Sequence, residues 1–269
     1  MKLTAKNYYS KEANLEYMSV SLFKDFAGTY GRIGCEHHAY EKLMGRWHDK
    51  PNDAMLIGSY VDAFVEGADS YLDFQKSHPE MFRNDGTLYK KYAIAETVIQ
   101  RIVRDEYFMA ALSGDKQVIM TGEKFGTKWK CKIDSYIPHQ AIVDLKVIKD
   151  IYELKWVKDV GYMDFIRYWG YDVQGAMYQE LVFQNTGEKL PFYIAAVTKD
   201  ECPDMEVIKI PQYVLDEAID KVWFHMPGIL SVLHGEREPD RCEQCACCRE
   251  TKKLSGYINL DELVGIGGV

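Results

Sequence analysis

The sequence predicts an α/β fold, a central mixed β-sheet with helices on both sides. Three observations carry that expectation. Two strand-like stretches, 127–136 and 141–147, follow one another across a short turn, and further strand-like runs occupy 117–125, 190–199 and 205–210. Helical patterns at 54–66, 89–112, 171–185 and 213–233 are interleaved with them. Hydrophobic residues make up 47% of the 269 positions and aromatic residues 13%, enough for a sizeable core.

The chain opens irregularly, and its first helix is expected near Ser19 or Ser21, where a serine cap precedes Leu22, Phe23 and Phe26. Residues 28–34 are loop-like, and 35–45 fit another helix. Pro51, Asn52 and Asp53 mark a turn and a cap. Residues 54–66 then offer Met55, Leu56, Val61, Phe64 and Val65 to one buried face. Asp62 falls in the middle of that helix, where a carboxylate is either on the solvated side or held by a partner. Residues 79–87 read as loop. Residues 89–112 read as one or two helices, with Ile94, Val98, Ile102 and Val103 near helical spacing. Glu123, near the end of the 117–125 strand, reads as a cross-strand partner for a lysine or, by similarity to related folds, as an extra metal ligand.

In the 127–136 strand, Lys128, Lys130, Lys132 and Asp134 share one face and Trp129, Cys131 and Ile133 the other. Residues 135–140, with Pro138, supply the turn. In 141–147, Asp144 and Lys146 point to one side and Val143, Leu145 and Val147 to the other. The hairpin brings Asp134 and Asp144 to similar height. Carboxylates that close repel, and a divalent cation relieves the repulsion. A lysine beside such a cation can orient or deprotonate a water and offset charge on a phosphate. The alternative is an edge hairpin whose Asp and Lys are simply solvated.

Residues 151–169 are aromatic and charged, and in the 171–185 helix Gln174 and Tyr178 lie one turn apart on one face, while Tyr171 and Met177 are expected to pack. The 190–199 strand reads as buried, 205–210 as more exposed, and 213–233 as a long amphipathic helix. A net charge of −8 argues against affinity for nucleic acid along the whole surface, though not against a local patch. Lys124, Lys128, Lys130, Lys132, Lys146, Lys149, Lys155 and Lys158 are the candidates for such a patch, or else a solvated face. No apolar run approaches the ~18–20 residues that span a bilayer, and the opening residues lack the apolar stretch of an export signal. Seven cysteines then suggest a reducing, cytoplasmic setting, with thiols in the core or on metal. Cys131 reads as a core thiol and Cys202 as a loop residue.

Asp134, nine residues, then Asp144-Leu145-Lys146 resembles the D–(spacer)–(D/E)xK core of the PD-(D/E)XK nucleases. Gln174-Gly175-Ala176-Met177-Tyr178 resembles their QxxxY element, and Gly58-Ser59-Tyr60-Val61-Asp62 sits where the RecB-like branch carries G-x-x-x-H, with Asp in place of His. The order of motifs is similar to that branch. The stretch from Met18 and the overall length look most like phage-type, RecE-like exonucleases, over roughly residues 15–250. The resemblance implies a restriction-endonuclease-like core and a Mg2+- or Mn2+-dependent deoxyribonuclease, an exonuclease of phage recombination or repair type. Its substrate would be DNA, linear duplex or single-stranded. It implies that Asp62, Asp134 and Asp144 hold the cation with the Leu145 carbonyl, that Lys146 positions water, and that Gln174 and Tyr178 shape the substrate side. Lys128, Lys130 and Lys132 would contact DNA. It also points to a phage strand-annealing protein as partner and to a homo-oligomer. One nuclease domain spans 1–269, with a helical part at about 15–112 and a cysteine-containing segment at about 235–269 packed on the core. The alternative is a non-catalytic nucleic-acid-binding protein of the same fold, favoured by Asp62 replacing His.

Cys242, Cys245 and Cys248 form a C-x-x-C-x-x-C run with Cys247 beside them. Several RecB-like nucleases join a distant N-terminal cysteine to such a triad around a [4Fe–4S] cluster, and Cys35 stands in that place here. The alternatives are Zn2+ held by Cys242, Cys245, Cys247 or Cys248, and free thiols.

Overall fold

The computed structural model describes residues 1–50 and 52–260; Pro51 and residues 261–269 of the cysteine-containing segment lie outside it. In chain order the elements are α1 (Lys11–Glu16), α2 (Val20–Ala27), a short ribbon β1 (Gly28–Thr29) and β2 (Arg32–Ile33), α3 (Glu36–Leu43), α4 (Asp53–Glu66), α5 (Ala68–Ser77), α6 (Ile94–Val103) and α7 (Glu106–Ala111). Then come β3 (Asp115–Lys124), β4 (Thr127–Ile137), β5 (Ala141–Ile148), a second ribbon β6 (Lys155–Val157) and β7 (Gly161–Met163), and α8 (Phe165–Tyr168). The chain continues through α9 (Tyr171–Thr186), β8 (Phe192–Thr198), β9 (Met205–Lys209), α10 (Gln212–Leu233) and α11 (Ala246–Glu250). Among the described residues no helix is long and apolar enough to cross a membrane.

The main sheet has the order β3-β4-β5-β8-β9. Only β5 and β8 run parallel, so the sheet is mixed, with helices on both faces as expected. On one face Trp129, Cys131 and Ile133 of β4 pack with α2, α9 and α10. On the other, Val143 and Leu145 of β5 and Ala195 and Val197 of β8 pack with α4, α6 and α7. Trp129 is fully buried, and burying a large apolar side chain of this kind contributes about 1.5–3 kcal/mol.

Caps set the helix starts. Ser19 Oγ accepts from Leu22 N at 3.2 Å, so α2 begins where the serine predicts. Asn52 does the same for α4, accepting from Met55 N at 2.8 Å. Met55 itself is 59% exposed, while Tyr60 takes the buried place in α4. The expected irregular opening contains a helix, α1, capped by Ser10.

The hairpin departs from its expected outline in a way that makes room for a site. Its turn occupies only 138–140, because Ser135 still pairs with Val143 inside the sheet. From Asp134 towards Thr127, β4 and β5 part like a fork. Met18 fills the opened edge of β4: Met18 N donates to Lys128 O at 2.8 Å and Lys130 N to Met18 O at 2.9 Å. At the crotch of the fork Gln117, opposite Asp134, turns to φ 52°.

Candidate active site

A cavity of about 760 Å3 opens at this fork, walled by β4, β5, α4, α9 and the segment before α2; Asp62, Asp134, Asp144, Lys146, Gln174 and Tyr178 all line it. Gly175 makes the approach of α9 possible. A Cβ there would stand 2.4 Å from the Phe192 ring on β8, so only glycine lets α9 lie close enough to bring Gln174 and Tyr178 over the sheet.

Asp144 is 1% exposed; its Oδ1 accepts from Gln174 Nε2 at 2.5 Å and its Oδ2 meets Lys146 Nζ. Asp134 Oδ2 accepts from Leu145 N at 3.1 Å, which ties the two prongs of the fork together. Asp62 faces this cluster and not the solvated side of α4, and its Oδ1 is sealed from solvent without a hydrogen-bond partner. Burial pushes the Asp62 carboxyl up to about 7, with Asp144 adding to the rise and Lys146 opposing it. Burial and then the neighbouring Asp144 and Asp62 lift Asp134 well above the usual carboxylate range. Burial disfavours the Lys146 ammonium, but Asp144 and Asp134 outweigh it and hold Lys146 charged, over the Tyr171 ring at 5.0 Å. Three carboxylates thus converge on one ammonium, and an orphaned oxygen remains. Hard oxygen donors short of positive charge fit a hard divalent cation.

Tyr178 lines the cavity, and its hydroxyl donates to the Lys132 carbonyl at 3.2 Å, pinning β4 to α9. Tyr171 packs against the core as expected, with the ammonium groups of Lys146 and Lys24 over its ring.

The lysines expected to contact DNA separate. Lys132 lines the cavity. Lys130 is 1% exposed and donates to Tyr8 O at 2.5 Å and Asn14 Oδ1 at 2.7 Å; residues 8–18 cover that edge of β4, so Lys130 is an internal tie and not a surface contact. Lys128 stands outside the cavity and pairs with Glu16 at 3.2 Å. Lys124 pairs with Glu180 and Lys155 with Glu153, while Lys149 and Lys158 are exposed. Glu123 lies opposite Lys128 at the far end of β3, which overturns its reading as a metal ligand and leaves the cross-strand one. Tyr8, Tyr9 and Asn14 line the cavity and were not foreseen. Their sole signal is a pair of tyrosines in an otherwise polar opening.

The cysteine clasp stands apart. Sγ of Cys35 lies 3.5 Å from that of Cys248 and 3.8 Å from that of Cys245, and Cys242 lies 4.0 Å from Cys248. All four sulfurs fall within 4.8 Å of one another. Backbone N–H groups of His38, Cys245 and Cys248 donate to Cys35, Cys242 and Cys245 at 3.3–3.4 Å, yet burial outweighs them at Cys35 and Cys245 and raises both thiols. Burial raises the Cys242 thiol, but the amides of Gln244 and Cys245 outweigh it and bring it to about 7. Cys247 is buried outside the quartet, Cys131 sits in the core and Cys202 is exposed.

A family model described as a PDDEXK-like domain of unknown function (DUF3799) matches residues 19–251. A crystal structure from Eubacterium rectale described as a "putative exonuclease" is 57% identical, with a TM-score of 0.96 and 100% of both chains covered. No curated protein matches the chain.

Proposed function

The chain belongs to the PDDEXK-like family, and on that premise we propose that it is a divalent-metal-dependent deoxyribonuclease, a single nuclease domain cutting DNA from an end. One observation carries the reading. The sealed, unpartnered Oδ1 of Asp62 faces Asp134, Asp144 and Lys146 in one cavity, an arrangement short of positive charge. Mg2+ or Mn2+ held by Asp62, Asp134, Asp144 and the Leu145 carbonyl would supply Lewis acidity to the phosphate and acidify a water. Lys146, kept charged by its two carboxylate neighbours, orients that water and offsets charge as it builds on phosphorus. Gln174 holds Asp144 in the orientation that Lys146 needs. In-line attack expels the 3′-oxygen and leaves a 5′-phosphate. Tyr178 acts by fixing β4 and not by offering its hydroxyl to substrate. The order of the motifs supports a RecB-like, RecE-like exonuclease of phage recombination or repair, with a strand-annealing partner and a homo-oligomeric state as that resemblance implies.

For the clasp the sulfur separations favour a single ion. Four thiolates at about 2.3 Å from Zn2+ stand about 3.8 Å apart at the corners of a tetrahedron, close to the separations of Cys35–Cys248, Cys35–Cys245 and Cys242–Cys248, with all four sulfurs inside 4.8 Å. A [4Fe–4S] cubane takes one thiolate on each of its iron corners and holds them apart by its own body. We assign Zn2+ to these cysteines. Zinc there would pin α3, which forms part of the cavity wall through Lys42 and Leu43, to the segment after α10.

The reading is tested by degrading an end-labelled linear duplex with Mg2+ or Mn2+ beside EDTA and Lys146→Ala. Metal-dependent shortening that vanishes in the variant is expected. Cutting that survives Lys146→Ala overturns the site, and no cutting by protein that binds DNA favours the non-catalytic reading.

A further inference from the structure

We propose that Tyr9 and Lys132 clamp the substrate strand, the Tyr9 ring stacking on an unpaired nucleobase beside the scissile phosphate and the Lys132 ammonium meeting an adjoining phosphate. The proposal rests on the nuclease reading and names how that site grips its strand.

The family match begins at residue 19, yet Tyr8, Tyr9 and Asn14 line the same cavity as Asp134 and Lys146. They are held there firmly. Lys130, itself buried, ties down the Tyr8 carbonyl and the Asn14 side chain, and Met18 is stitched to β4. Tyr8 is 6% exposed, and Tyr9 meets it edge to face at 4.9 Å and 85°. Tyr9 is 70% exposed. A large apolar ring kept in water, on a mount fixed by buried neighbours at the mouth of an acidic cavity, is what stacking of a base requires, since every base presents a π-face.

Lys132 completes the grip. Lys124, Lys128, Lys146 and Lys155 each have a carboxylate partner, but among the described residues none lies within ion-pair distance of Lys132. Its Nζ instead sits 4.8 Å from the Tyr9 ring centre and 5.8 Å from that of Tyr8, so its charge is positioned and not neutralised. Across the cavity Glu66 and Asp73 line the wall from α4 and α5. They repel a phosphodiester chain, which leaves the β4 side, where Lys132 stands, as its course.

The test measures binding and cleavage separately. Fluorescence anisotropy in EDTA reads the affinity of wild type, Tyr9→Ala, Tyr9→Phe and Lys132→Ala for a single-stranded oligonucleotide, and for a series in which one abasic nucleotide is moved stepwise from the end. Stacking of one base predicts that Tyr9→Ala weakens binding roughly 5- to 150-fold and raises KM alike while kcat holds. Tyr9→Phe should restore both. At one position the abasic nucleotide should weaken wild type but cost Tyr9→Ala nothing further. Lys132→Ala should flatten the log–log salt dependence of binding by about 0.7. Unchanged affinity in Tyr9→Ala, failure of Tyr9→Phe to rescue, or an abasic penalty that persists in Tyr9→Ala overturns the clamp. Wild type that binds as described but never cuts overturns the nuclease reading and leaves the clamp standing.

Discussion

Replacing Asp62 by Asn should stabilise the metal-free protein while it removes cleavage. In the folded chain the Asp62 carboxyl has its pKa raised to about 7, against an ordinary 3.8, first by burial and then by Asp144. A carboxyl that binds its proton more tightly when folded lowers stability as pH rises, because the unfolded chain releases that proton first. The penalty therefore grows from about pH 4 to about pH 7 and is constant above it. At about 1.4 kcal/mol for each tenfold change in proton affinity, it reaches about 4 kcal/mol. Asn keeps the shape and carries no charge, so in EDTA at pH 8 Asp62→Asn should gain up to about that amount, and at pH 5 distinctly less. Urea denaturation followed by circular dichroism measures both. Adding Mg2+ or Mn2+ at pH 8 should stabilise wild type more than the variant, since a ligand that binds only the folded state adds its binding free energy. An Asp62→Asn protein that is no more stable than wild type at pH 8 in EDTA, or whose difference does not change with pH, would refute the argument that this carboxylate waits for a cation.

Four further outcomes follow from the same geometry. Lys146→Ala should lower the rate of phosphodiester cleavage at least about 10²–10³-fold with the far-ultraviolet spectrum unchanged, because among the described residues Lys146 is the one ammonium facing all three carboxylates. Protein purified without chelator should be colourless and carry one zinc per chain by elemental analysis. Cys35→Ser should reduce that content and lower the melting temperature, whereas a brown protein containing iron and sulfide would contradict the sulfur geometry. Lys130→Met should cost about 1–3 kcal/mol by stranding the Tyr8 carbonyl and the Asn14 amide oxygen, and should open residues 1–17 to limited proteolysis. Lys128→Ala, which breaks an exposed pair with Glu16 and a contact over the Tyr17 ring, should stay within about 1 kcal/mol of wild type.

What could be read from the sequence was what repeats locally. The two-residue period of 127–136 sorted Trp129, Cys131 and Ile133 from Lys132 and Asp134 correctly, because a strand between a core and a cavity must alternate. Gln174 and Tyr178, four apart, fell on one face of α9 for the same kind of reason. Cys35 was reached by resemblance; no spacing joins it to Cys242. What escaped was decided by partners far along the chain. Lys130 alternates like its neighbours, and its burial depends on Tyr8 and Asn14 folding over β4. Met55 has the right character for the α4 stripe but lies in its first turn, beside solvent. The strands of the β6–β7 ribbon are too short, at three residues each, to display a period, and α5 turns only Tyr71 and Phe74, both half-buried, towards the core.

The fork in the sheet has a consequence for the order in which the molecule is made. Synthesis runs from the N-terminal side, so Tyr8 and Met18 leave the ribosome well before β4, whose Lys130 is 122 residues beyond Tyr8. Cys35 waits longer still, for Cys248 is 213 residues later. Until those late segments emerge, the early ones have nothing to close upon, and loop closure over such separations is slow compared with helix formation. Asp62, Asp134, Asp144 and Lys146 are therefore all translated before the walls around them can set. A nascent or prematurely terminated chain holds the acidic residues without the enclosure that gives them their altered proton affinities.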